Sequence, residues 1–342
     1  LKSALFFVLV PPLPILAGFL LYTPGLWLPL VAVEIGVLIS LIGSNVLGYA
    51  TEGKQRRFIK GAFSQYLSPT VIDQLITQPD RLKLGGERRE LSIFFSDIQG
   101  FTTISESLSP EELTQLLNDY LSEMTDIIQE EGGTIDKYEG DAIIAFWNAP
   151  VPYEDHPVRA VRASLRCQDR LTELREGFTE RCGREMYMRI GLNSGPAVVG
   201  NMGSKTRFDY TMLGDAVNLA ARLEGINKQF GTYTMISRST REGIGDAFPV
   251  RELSRVRVVG KNEPVTVYEP LVHEEYERRK DTLDTFARGL ELFYTGRFEE
   301  ARGIFAPLAG SDPPAEKYLA KIEDLLENPP AEWDGVWIMT SK

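Results

Sequence analysis

Apolar residues fall into three regimes along the chain. From Leu1 to Thr51 they run almost unbroken, and the only charges are Lys2 and Glu34. Two stretches, Ala4–Tyr22 and Leu26–Ala50, are separated by Thr23-Pro24-Gly25. Each is long enough to cross a hydrocarbon core of ~30 Å. Pro11, Pro12 and Pro14 should kink the first, while Glu34 and Asn45 in the second need a partner helix to face. Lys54, Arg56, Arg57 and Lys60 follow at once, and the positive-inside bias puts everything after them in the cytoplasm. The expectation is a multi-pass protein of the cell (inner) membrane, in contact with lipid, with residues 1–51 as transmembrane helices. Residues 52–84 then form a cytoplasmic linker, with an amphipathic helix over Phe58–Leu75 that ends at Gln78-Pro79-Asp80. That helix either pairs with a second chain as a parallel coiled coil or packs on its own domain.

In the second regime, residues 85–272, short apolar runs alternate with amphipathic segments. Leu91–Phe95 reads as a buried strand closed by Asp97 and turned by Gly100. Ser109-Pro110-Glu111-Glu112 is a helix start, with Ser109 as N-cap and Pro110 at the first helical position. That helix runs to about Glu130 and stops at Gly132-Gly133. Thr134–Lys137 and Ala142–Trp147 flank Glu139-Gly140-Asp141 as a hairpin. Val158–Gly177 and Ala216–Gln229 read as helices, and Met186–Asn193, Asp209–Leu213, Thr232–Ser237 and Arg255–Val259 as strands. Strand-helix-strand-strand-helix-strand is a ferredoxin-like α/β (α+β) pattern.

Composition changes this picture in two respects. The net charge of −11 over 342 residues argues against nucleic acid as a partner, so an anionic substrate needs a local basic site or metals. The two cysteines, Cys167 and Cys182, form neither a metal-ligand spacing nor a disulfide framework. Asp97 closes an apolar strand three residues before the turn at Gly100, and Asp141 follows Gly140 and opens another apolar strand. A carboxylate there suits a hard cation, and two of them suit a pair of metals on one nucleotide.

FSDIQGFT, DKYEGDAIIAFW, MRIGLNSG and LGDAVNLAAR (Leu213–Arg222) fall in one order from about Phe63 to Tyr268, and this stretch resembles the class III adenylyl and guanylyl cyclases. The resemblance implies a cyclase catalytic domain over residues 85–272 that converts ATP to 3′,5′-cyclic AMP and diphosphate. It implies two Mg²⁺ (or Mn²⁺) ions per site, held by Asp97, Asp141 and the backbone carbonyl of Ile98. Amides of the Gln99–Thr103 loop, at Phe101 and Thr102, would contact phosphates, with Arg189 and Lys261 on the triphosphate. Asn218 and Arg222, four apart on one helix face, would orient the ribose and quench charge on the phosphate. Lys137 and Thr211 would read the base. Threonine at the second position departs from the aspartate of many adenylyl members and matches a bacterial subgroup. Guanylyl members carry Glu and Cys at the two places. In the family the metal aspartates of one chain face the asparagine, arginine and base-reading residues of the other, so the resemblance implies a homodimer.

The third regime, residues 273–342, is helical by pattern over Thr282–Ala309 with a break at Gly296. Its Ala, Gly and aromatic spacing resembles one tetratricopeptide unit. A single unit cannot bury its own face, so it should dock on the cyclase domain or on a partner protein. Pro313-Pro314 and Pro329-Pro330 read as loose ends, and Trp333 and Trp337 have no evident role. Two rival readings stay open: a guanylate cyclase, and a catalytically dead membrane signalling scaffold. A diguanylate cyclase would share the core, but its GGDEF-type turn is absent.

Overall fold

A computed structural model describes residues 12–22, 31, 35–40, 42–43, 85–204, 208–258 and 263–339. The chain divides into two units, Leu1–Thr77 and Gln78–Lys342. In the first, helix α1 spans Pro12–Tyr22, and residues 31, 35–40 and 42–43 are helical. Eleven helical residues rise only about 16 Å, half of what a bilayer requires. Proline is tolerated in a helix's first turn, which is where α1 begins. Among the described residues no helix is long and apolar enough to cross a membrane. This corrects the expected multi-pass membrane location. The rest of the two expected spans and the linker helix over Phe58–Leu75 lie outside the described residues.

The second unit is built on one sheet. Its strands are β1 (Gly85–Ile98), β2 (Thr134–Glu139), β3 (Ala142–Trp147), β4 (Met188–Gly203), β5 (Phe208–Leu213), β6 (Thr234–Ser237), β7 (Val250–Arg257), β8 (Val265–Pro270) and β9 (Trp337–Ile338). Their order is β2-β3-β1-β4-β6-β8-β7-β9, with β5 paired to β4. The β2-β3-β1-β4 half is antiparallel throughout and is the ferredoxin-like sheet expected from the pattern. β6 joins β4 in parallel and extends it.

Helices cover both faces. The short α2 (Phe101–Glu106) precedes α3 (Pro110–Glu130), which starts in a full capping box of Ser109 and Glu112. α3 and α4 (His156–Cys182) pack on one face, where Phe94 and Ile98 of β1 meet Leu116, Tyr120, Met124, Val161 and Leu171. Alternation along β1 sends Leu91 and Ile93 to the other face, against Ala197, Met212 and Ala220. There α5 (Asp215–Phe230) rests directly on β4. A Cβ at Gly191 would lie 2.2 Å from the backbone nitrogen of Glu224 and 2.4 Å from the carbonyl of Ala220. Glycine is what lets this helix sit so close. α6 (Arg238–Ile244) follows β6.

The C-terminal helices α7 (His273–Tyr294), α8 (Phe298–Phe305) and α9 (Pro313–Glu327) dock on the far half of the same sheet. Phe286, Phe293, Phe305 and Tyr318 share a core with Phe230, Met235, Leu253, Val256 and Val267. Of the two docking possibilities, the tail takes its own cyclase domain. Pro313-Pro314 is not a loose end: Asp312 caps α9 by accepting from Ala315 N (3.3 Å), and the prolines fill the first turn. The two tryptophans also find places. Trp333 Nε1 donates to the carbonyl of Phe293 at 2.9 Å, and Trp337 pairs in parallel with Val256 as the last strand of the sheet.

A buried ionic joint fixes the tail. Arg251 of β7, with 3% of its side chain exposed, donates to Asp312 Oδ1 at 2.7 Å and to Glu269 Oε2 at 2.9 Å. Arg279 of α7 donates to the same Asp312 oxygen at 3.0 Å, and the Asp312 side chain is fully buried. Removing Asp312 takes a buried acid from both Arg251 and Arg279, and leaves Arg251 in the core with Glu269 and an excess of positive charge beside it. Asp312→Ala should therefore lower unfolding free energy by about 3–5 kcal/mol, read by urea denaturation. Arg297→Ala, which breaks the exposed pair with Glu300, should leave the urea midpoint nearly unchanged.

Candidate active site

Register decides what gathers at the C-terminal end of β1. Ser96 faces Ile143 of β3, and Asp97 faces Arg189 of β4. The β2–β3 turn, with Gly140 at φ 67°, then brings Asp141 alongside. Asp141 Oδ2 accepts from the backbone N–H of Ile98 at 2.9 Å. Asp97 is 38% exposed at its side chain, whereas Asp141 is buried. Burial pushes the Asp141 carboxyl up to about 6; the Ile98 N–H pulls it back and the nearby Asp97 charge adds to the rise. A divalent cation here would relieve the cost of burying the Asp141 charge. Asp97, Asp141 and the Ile98 carbonyl fit Mg²⁺, which takes one or two carboxylates and completes its shell with water and substrate phosphates. Among the described residues no cluster of three or more carboxylate, histidine or cysteine ligands forms. The following loop is pinned where Gln99 N donates to the carbonyl of Tyr187 at 2.8 Å, and Gly100, at φ 71°, starts α2 at Phe101 and Thr102.

Arg189 stands between two acids. It donates through Nε to Glu224 Oε1 at 3.0 Å and through a terminal nitrogen to Asp97 Oδ2 at 3.4 Å. Burial raises the Glu224 carboxyl to about 7, with Arg189 opposing the rise and Asp97 and Asp141 adding to it.

The two expected base readers also come together. A bulge in β2 between Ile135 and Lys137 takes Asp136 out of the ladder. Thr211 Oγ1 donates to Asp136 Oδ2 at 2.7 Å, and Lys137 Nζ lies 3.6 Å from the other oxygen. Burial raises the Asp136 carboxyl, and the Thr211 hydroxyl and Lys137 lower it. Asp136 was not among the residues singled out from the sequence. Its signal was its place beside Lys137 in a strand otherwise read only for its apolar residues.

A third group lines a cleft of ≈ 630 Å³ along α5: Arg189, Asn218, Arg222, Glu224, Lys228 and Met339. Among the described residues neither Arg222 nor Lys228 has an ion-pair partner, whereas Arg189 is held. Lys228, Glu224 and Met339 were missed in the sequence. Met339 is visible only once β9 is placed, where its N–H donates to the carbonyl of Arg257 at 3.1 Å. Asp97, Asp141, Lys137 and Thr211 do not line this cleft. Lys261 lies outside the described residues.

These three groups of residues stand on one ferredoxin-like sheet. Residues 86–269 match the adenylate and guanylate cyclase catalytic domain family, more than half of the chain, and the chain belongs to that family. Adenylate cyclase 1 of Rhizobium meliloti (strain 1021) is 37% identical over 182 residues, 53% of this chain and 27% of that protein. Among solved structures, the adenylyl cyclase CyaB from P. aeruginosa matches with a TM-score of 0.52 at 37% identity, over 55% of this chain and 96% of that one. The guanylyl cyclase Cya2 matches with a TM-score of 0.51 at 36% identity, over 55% and 95%. The chain spans well under half the length of the curated relatives it matches.

Glu224 gives the site a measurable pH signature. Its carboxyl is raised in the folded chain, from 4.5 to about 7, so the unfolded chain releases this proton first. Stability should fall as pH rises through that window, by on the order of 2 kcal/mol from this group. Urea denaturation at pH 5, 6, 7 and 8 should show that slope flattened in Glu224→Gln relative to the parent.

Proposed function

We propose that this chain is an adenylate cyclase, converting ATP to 3′,5′-cyclic AMP and diphosphate in signal transduction, at sites shared by two copies. The observation that carries the reading is the meeting of Asp97 and Asp141 at the backbone of Ile98, at the end of the sheet's central strand. These three groups would hold two Mg²⁺ or Mn²⁺ ions. When bound, such ions lower the pKa of the ribose 3′-hydroxyl and neutralise triphosphate charge. The 3′-oxygen gives its proton to water and bonds to the α-phosphorus in line, while the bond from that phosphorus to the β-bridging oxygen breaks and diphosphate leaves. Arg222, without an ion-pair partner among the described residues, offers a planar guanidinium to the charge spreading over the transferring phosphoryl group. Asn218, one turn earlier, orients the ribose. Arg189, Lys261 and the backbone at Phe101 and Thr102 take the triphosphate, and Lys137 and Thr211 take the base. Binding phosphate at Arg189 means loosening its hold on Glu224 and Asp97.

Asp97 and Asp141 do not line the Asn218–Arg222 cleft, which Arg189 links to Asp97, and two copies facing each other would complete both sites. A guanylate cyclase is the second reading, favoured by the equal likeness to a guanylyl cyclase structure. The intact set of cation, phosphate and base residues speaks against a dead scaffold. The α7–α8 pair is read as a single tetratricopeptide-like hairpin.

Mixing tests the shared site. Asp97→Ala/Asp141→Ala and Asn218→Ala/Arg222→Ala chains should each be inactive with ATP. Their equimolar mixture should recover about a quarter of parental cyclic AMP output, because half the dimers then hold one whole site. A mixture as inactive as its parents contradicts the arrangement.

A further inference from the structure

A threonine hydroxyl carries one proton and can either donate or accept. In this chain the choice is made. The Thr211 proton is directed at Asp136 Oδ2, 2.7 Å away, and an ionised carboxylate only accepts. Toward any other partner Thr211 Oγ1 is left with lone pairs alone. Lys137 Nζ, an ammonium, has only protons to give. One carboxylate therefore fixes an acceptor beside a donor: Oδ2 holds Thr211, and Oδ1 lies 3.6 Å from Lys137.

The two purines present opposite patterns to such a pair. Adenine offers an exocyclic N6 amino donor and an N1 acceptor; guanine offers an O6 acceptor and an N1–H donor. Acceptor at Thr211 and donor at Lys137 match adenine twice and oppose guanine twice. We propose that Asp136 sets the nucleotide specificity of this site, as a positioning residue that polarises the Thr211 hydroxyl to receive an adenine amino group. The proposal rests on reading Lys137 and Thr211 as the base-contacting pair.

The placement of Asp136 supports this. Its side chain is 3% exposed, and Oδ1 is buried without a hydrogen-bond partner. A structural role alone would be better filled by an apolar residue, since unsatisfied buried oxygens are uncommon in folded chains. The bulge that sets Asp136 outside the β2 ladder aims it at β5, which carries Thr211. Nothing else described ties the second oxygen.

The test is kcat/KM for ATP and for GTP on the full chain, in the parent, Asp136→Asn, Thr211→Val and the double variant, with melting curves for each. A carboxamide can donate to Thr211 as well as accept from it, so the Thr211 proton is no longer committed to residue 136 and can turn outward. Asp136→Asn should therefore lower the ATP/GTP ratio about tenfold or more, chiefly through KM. In the Thr211→Val background the same change should leave the ratio unaltered. Should Asp136→Asn not fold, Asp136→Ser, whose hydroxyl likewise no longer only accepts, carries the same comparison. If Thr211→Val shifts the ratio but Asp136→Asn slows both nucleotides equally, Asp136 is structural and this inference is overturned while the base-contacting pair stands. If Thr211→Val leaves the ratio unchanged, the pair itself is wrong and the inference falls with it. A parent that turns over neither nucleotide overturns the cyclase reading as well.

Discussion

The site depends on β1 being held antiparallel on both sides. β3 and β4 fix its register residue by residue, so its C-terminal end arrives at one place: Asp97 opposite Arg189, Ile98 over Asp141. A slip of one residue in either ladder would turn Asp97 towards the opposite face and bring Ser96 or Ile98 in its place. Burial of Phe94 and Ile98 on one side and Leu91 and Ile93 on the other makes such a slip costly. The core thus does the positioning, and the aspartates only have to follow the strand.

The second half of the site is held by contact rather than by pairing. α5 lies on Gly191 so closely that a methyl group there would collide with its backbone. The far end of α5 is braced by the tail, where Trp337 meets Phe230 edge-on at 5.0 Å and Met339 joins Leu219, Leu223 and Ile226 in one core. The Arg251–Asp312–Arg279 joint ties that tail to β7. The C-terminal segment is therefore part of the wall along which Asn218 and Arg222 point, and not a separate appendage.

Much of this was legible in the chain. The capping box at Ser109, the hairpin around Gly140, the helix carrying Asn218 and Arg222, and the ferredoxin-like order all follow from local signals that the tertiary structure does not override. Other features could not be read so directly. β4 continues ten residues beyond the expected end at Asn193, through Gly195 and Pro196, because β1 pairs back to Gly85 and supplies a partner. β8 and β9 are short strands specified by their neighbours more than by their own residues. Pro313-Pro314 carries the same local signal as a loop and as a helix start, and only Asp312 before it separates the two. Asp136 was passed over because it looked like the polar face of a strand. The bulge that redirects it has no signature in single-sequence periodicity. The apolar N-terminal stretch has the composition of membrane spans, but among the described residues no helix is long and apolar enough to be one.

The central claim is that one copy supplies the cation ligands and another the charge-quenching helix of each site. Cyclic AMP output per chain should be measured for the full protein across a dilution series, with sedimentation following the dimer-to-monomer transition in the same buffer. The account predicts that output per chain falls towards zero as the dimer dissociates, with the same midpoint. Output that stays constant through that transition would contradict it.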